Sequence, residues 1–209
     1  MNDQTTPARP NGGRISFPTP DTMTAEQRQV YEQIVSGPRG TLVGPLRAAL
    51  HNPALADRWQ RLGQVLRFET SIPTHLNELA ILVTARRWNS DLEWGIHAGD
   101  AERAGLPQAY MQAIRDGDSP DFGDNDAARE VYEFARQLLQ TGNVEDTAYD
   151  AILVRWGEMG AVELTAVIGY YSMVAMTLNV HRVPLPVGMD APLDGPRGQL
   201  FTMPPAKES

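Results

Sequence analysis

Apolar residues recur at three- and four-residue steps along most of this chain, a spacing that predicts helices. Val30, Tyr31, Ile34 and Val35 form one apolar face behind the capping box Thr24-Ala25-Glu26-Gln27, and Gly37-Pro38-Arg39-Gly40 ends that helix. A short helix is expected over Leu46–His51. A longer one is expected over Ala54–Glu69, where Leu55, Trp59, Leu62, Val65 and Leu66 share a face. Thr74 is placed to cap the next helix, which Leu76, Leu79, Ile81, Leu82, Val83 and Ala85 keep apolar. Asn89 or Ser90 breaks it and opens another that ends at Gly105. Pro107 opens a short helix and Gly117 closes it. Asp118–Asp126 reads as a solvated acidic loop, and Ala127–Gln140 as an amphipathic helix stopped by Gly142. Asp146 starts a helix to about Trp156, and Gly160 leads into an apolar one ending near Asn179. No stretch alternates with the two-residue period of a half-buried strand. The expected fold is all-α, with about seven to nine helices. Residues 1–20 are expected to be a flexible arm and 21–183 one helical domain. Residues 184–209 form a Pro/Gly-rich tail whose last dozen residues are expected to be disordered.

Composition narrows the function. The chain has 209 residues, 42% of them hydrophobic and 21% charged, and these proportions suit a soluble domain with a sizeable core. A net charge of −8 argues against non-specific nucleic-acid binding, which requires a basic surface. There is no cysteine, which removes disulfides and thiolate metal sites and fits a cytoplasmic location. The N-terminal segment has no apolar core of a secretory signal. Ala161–Val180 is the most membrane-like stretch, but Glu163 and Asn179 interrupt it, and a buried core or interface helix is expected instead of a span. The one lysine, Lys207, lies in the tail, so Schiff-base chemistry is not expected and arginine is the available anion clamp.

The densest chemistry lies between Glu78 and His97. Glu93 and His97 are four residues apart on a helix, separated by roughly 40°, so they share a face. Glu78 sits one turn into the preceding helix and approaches them if the two helices pack as a pair. Two carboxylates and an imidazole can pass protons between them, because close acids push their pKa values apart. The same residues also have a structural reading. Ser90-Asp91-Leu92-Glu93 is a capping box, Glu78 suits a helix start, and an interior histidine commonly serves packing. Arg86, about 80° around the helix from Glu78 and two turns along, is the candidate for holding an anion. Trp94 is a candidate pocket wall. Glu78, Glu93 and His97 would also suit a divalent ion, with His51, His75 or His181 as further donors, but their spacing does not demand one. No metal and no cofactor is assigned.

The spacing of these residues resembles the carboxymuconolactone decarboxylase family, which includes the alkylhydroperoxidase D-like proteins. Peroxidase-type members carry a glutamate, a C-x-x-C pair, and a histidine four residues beyond the second cysteine. Here Glu78 and His97 match the outer positions, while Ser90 and Glu93 stand at the cysteine positions. The words GPRGTLVGPL, LHNP, GYYSMVAMTLN and VPLPVG extend the likeness from about Thr24 to Gly188. Without a thiolate the peroxidase chemistry cannot transfer. The resemblance implies a cysteine-free, decarboxylase-like enzyme that uses Glu78, Glu93 and His97 as acid–base groups on a small carboxylated or enolisable substrate. It also implies self-association into trimers or hexamers. The alternative is a relative without catalysis, in which the polar cluster fixes the helix pair or binds a partner.

Overall fold

The structure is a computed structural model that describes residues 13–207. Its described residues form eight helices and no strand: α1 (Ala25–Ser36), α2 (Pro45–Ala49), α3 (Pro53–Phe68), α4 (Thr74–Arg87), α5 (Asp91–Arg103), α6 (Gln108–Asp116), α7 (Asp126–Thr141) and α8 (Asp146–Val180). The all-α expectation holds.

α4 is the axis of the molecule. Every residue from Leu76 to Arg86 is buried, so it has no solvent face. Helices α5, α6, α7 and α8 surround it, and α3 touches its start. A helix apolar on nearly all sides is stable only when enclosed in this way. Leu79, Ile81, Leu82 and Val83 are fully buried, each contributing roughly 1.5–3 kcal/mol. Helices α1, α2 and α3 form a second group, joined to α8 through α2 and α3.

The helix starts divide into those that the sequence signalled correctly and those it did not. Thr24 accepts from the Gln27 amide and the Gln27 side chain accepts from the Thr24 amide, completing the capping box. Asn52 and Asn125 cap α3 and α7 through their side chains. Thr74, by contrast, is the first residue of α4, and Pro73 occupies the cap position without a side-chain bond. Ser90 does occupy the cap position of α5, but its hydroxyl caps nothing and Glu93 returns no bond.

The two helices expected over 146–179 are one run with an internal break. Gly157 has φ 67° and ψ −172°, a conformation that essentially only glycine tolerates. Half of the most apolar 18-residue window of α8 is buried inside the protein. α8 is long and apolar enough to cross a membrane by length and composition, yet it packs here against α4 and α7.

The tail is ordered against the body as far as residue 207, unlike the disorder expected for the last dozen residues. Phe201 and Arg87 bond through their backbones, and Arg87 Nη1 donates to the Phe201 carbonyl at 2.7 Å. Met203 is buried, Tyr132 donates to the Pro204 carbonyl, and Lys207 donates its amide to Pro120. The acidic loop is likewise anchored: Phe122 is buried and its carbonyl accepts from Tyr110. Of the expected N-terminal arm, residues 1–12 lie outside the described residues. Arg14 bonds to the carbonyls of Val180 and His181 at the end of α8.

Candidate active site

The turn between α4 and α5 sets the site. Asn89 takes φ 45°, which asparagine tolerates better than most residues, and its side-chain oxygen accepts from Arg86 at 2.6 Å. That tight reversal lays α5 along α4 and brings Glu78 to His97 across 19 residues. His97 Nδ1 lies 2.7 Å from Glu78 Oε2, and both side chains are buried. With Glu78 as the acceptor, Nδ1 carries the proton and Nε2 is left as the basic nitrogen. Nε2 has no protein partner among the described residues. The ring meets Tyr171 edge-on, with centroids 4.8 Å apart at 86°.

Glu93 makes no hydrogen bond to the imidazole. It is fully buried, and neither carboxyl oxygen has a hydrogen-bond partner. Burial pushes its carboxyl well above the ordinary range. The nearby Ser90 hydroxyl opposes this, although the two form no direct hydrogen bond. Burial therefore favours the protonated form of Glu93 relative to an ordinary carboxyl. Tyr171 is also held protonated by burial, an effect that the charge of Arg67 opposes and that of Glu78 reinforces. Two carboxyls thus sit near one imidazole in different settings: Glu78 pairs with it, and Glu93 is shifted by burial toward its protonated form.

Glu93 and His97 open onto a cavity of about 680 Å³, a size suited to a small organic ligand. Its apolar wall comes from Leu42, Leu46, Ile96, Val174, Leu178 and Leu185, and residues 183–187 of the tail form part of its edge. Arg39, Arg47, Arg67 and Arg103 reach it, together with Asp100, Tyr170 and Tyr171. Asp100, one turn beyond His97, is held by both Arg67 and Arg103.

Arg86 and Trp94 are not part of this cavity. The Arg86 guanidinium is buried elsewhere. It donates to Asn89, to the Asp194 carboxylate at 2.7 Å and to the Asp194 carbonyl, and it stacks 3.6 Å from the Phe201 ring centroid. It fastens the tail to α4; both terminal nitrogens are engaged, and only the buried Nε is left without a partner. Trp94 is a core residue beside a separate, smaller cleft. Conversely, Arg39, Asp100 and Tyr171 were not singled out from the sequence. The Gly/Pro loop carrying Arg39 and the Gly169-Tyr170-Tyr171 word were the available signals.

The donor set with metal-binding spacing is Glu78, His97 and Asp100, whose ligand atoms lie within 4.8 Å of one another. Glu93, His51, His75 and His181 do not join it. Both Asp100 oxygens already carry guanidinium groups, so a cation there would have to displace two like charges.

No protein-family model matches the sequence, and no curated protein matches it. Its architecture does have solved counterparts. A peroxidase-related protein from Silicibacter sp. TM1040 superposes with a TM-score of 0.69 at 13% identity, covering 87% of this chain and 95% of that one. The alkylhydroperoxidase AhpD core protein from Ralstonia eutropha JMP134 gives 0.69 at 12% identity, covering 85% and 94%. A cysteine variant of the debrominase Bmp8, in complex with 2,3,4-tribromopyrrole, gives 0.66 at 17% identity, covering 86% and 95%. This is the alkylhydroperoxidase D-like fold. In the AhpD-like frame this chain is a cysteine-free example, with buried Ser90 and Glu93 where the resemblance places the two cysteines.

Proposed function

We propose that this AhpD-like protein is an acid–base enzyme acting on a small carboxylated or enolisable molecule, by decarboxylase-like or isomerase-like proton transfer. The observation that carries this reading is the pairing of His97 with Glu78 at 2.7 Å beside a buried, unpartnered Glu93 on one cavity. A cluster kept only to fix two helices would be hydrogen-bonded throughout, because an unpaired buried carboxyl is costly. Glu93 has no partner among the described residues, which leaves its carboxyl for a ligand.

In this reading His97 Nε2 takes or returns the proton at the reacting carbon, and Glu78 stabilises the imidazolium that forms. Glu93 donates a hydrogen bond to the oxygen on which negative charge develops, whether that charge comes from loss of CO₂ or of a proton. The decisive comparison is wild type against His97→Asn on small carboxylated lactones and β-keto acids, following CO₂ release and solvent deuterium incorporation into carbon. A loss of about 10²–10⁴-fold on both channels is expected. Full activity in the variant rules the reading out.

We also propose self-association. On α8, Met159, Val162, Met176 and Val180 are exposed at three- and four-residue steps, interleaved with half-buried Ala166 and Met173. A second copy of the chain is the occupant that suits this apolar stripe.

A further inference from the structure

We propose that Arg39 is the anion-binding residue of the cavity, and that the ligand is a monocarboxylate with an extended apolar body. This inference rests on the acid–base reading of the same cavity and specifies what enters it. The cavity's ionisable lining holds four arginines against two carboxyls, Glu93 and Asp100, in a chain of net charge −8. This local excess of positive charge grows when Glu93 keeps its proton. The arginines are not equivalent. Arg67 and Arg103 are spent on Asp100, and Arg47 lies over the Phe17 ring at 4.4 Å. Arg39 alone among them has buried guanidinium nitrogens, Nε and Nη2, without a hydrogen bond of normal geometry. The Tyr170 hydroxyl adjoins this guanidinium: burial pulls that phenol's pKa upward, and the interaction with Arg39 opposes the pull. Arg39 is half-buried, and leaving two buried nitrogens in this state is costly; a carboxylate that accepts two parallel hydrogen bonds relieves the cost.

The surroundings of Arg39 are built to hold it there. A side chain at buried Gly63 of α3 would run into both the Tyr170 hydroxyl and Arg39 Nη2, so the glycine keeps that space open. Tyr170 shares this corner and offers a second polar contact to an anion. The rest of the wall is mostly apolar. One unpartnered guanidinium in an apolar cavity of about 680 Å³ matches one carboxylate and a large hydrocarbon or aromatic body. It does not match the two carboxylates of a compact diacid, because no second arginine of the cavity is without an ion-pair or aromatic partner.

The test is calorimetric titration of the full chain with decanoate, 4-phenylbutyrate, decanol and glutarate. Wild type is expected to bind the two monocarboxylates more tightly than decanol or glutarate. Arg39→Gln should weaken both monocarboxylates roughly tenfold or more and leave decanol unchanged. Gly63→Ala, which keeps the guanidinium but displaces it, should weaken the same two ligands, with circular dichroism confirming the fold. His97→Asn should bind them as wild type does while losing proton exchange. Equal monocarboxylate binding by wild type and Arg39→Gln overturns the assignment, and so does preference for glutarate or absence of monocarboxylate binding to wild type. Those results leave the acid–base reading to its own exchange assay, so the two ideas fail separately.

Discussion

Glu93 shows most directly how burial at a single residue becomes chemistry. Its carboxyl is driven above an ordinary value of 4.5, so between that value and the elevated one the folded state holds a proton that the unfolded state has released. Stability therefore falls as pH rises through that window. Glu93→Gln removes this penalty. The variant is expected to be more stable than wild type at pH 8, with the difference shrinking toward pH 4. Urea unfolding at the two pH values checks this. A variant less stable than wild type at pH 8 would mean that Glu93 has a structural partner. At this scale the sequence was partly legible. The i, i+4 spacing placed Glu93 and His97 on one face, and both line the cavity. The Glu78 partnership depended on a turn whose angle no local pattern encodes. Arg86 had a suitable position relative to Glu78, but Asp194 and Phe201, more than a hundred residues away, capture it. Trp94 follows Glu93 by one residue, and one residue is enough to turn a helical side chain from cavity to core.

Among the elements, α4 and the long α8 were clear in the apolar pattern because burial on nearly all sides leaves few polar interruptions. The break in α8 was expected between about Trp156 and Gly160, and the structure sets it at Gly157, whose backbone leaves the helical region. Gly157→Ala meets no side-chain obstacle, so its cost is conformational alone. Thermal or chemical unfolding should show a loss of about 1–3 kcal/mol. No loss would mean that the two halves of α8 can join as one straight helix. The tail was the least legible element. Proline excludes helix, and a segment without periodicity reads as disordered. Its order comes from single anchors, Asp194, Phe201 and Met203, each matched to a distant partner or pocket.

At the scale of the whole molecule, the helices leave one long apolar stripe on α8 without a partner among the described residues. Val162, one step from the start of the stripe, is 68% exposed. If the stripe joins copies, Val162→Glu should lower the mass seen by light scattering at micromolar concentration and leave the helix content unchanged. A wild type that is already monomeric removes the proposal. Charge is also unevenly arranged at this scale. An acidic chain concentrates arginines around one cavity, and composition alone hides that asymmetry because net charge averages over the surface.

The solitary state of Glu93 gives the protein a built-in vibrational reporter. Of 26 acidic side chains, it is the one among the described residues that burial drives well above its ordinary range. Its protonated carbonyl stretch should stand apart from the carboxylate bands and sit at the high-frequency edge expected of a group without hydrogen bonds. Any molecule that accepts its proton in a hydrogen bond would move that band to lower frequency. Occupancy of the cavity is thus open to difference infrared spectroscopy, without a label and before any turnover has been found.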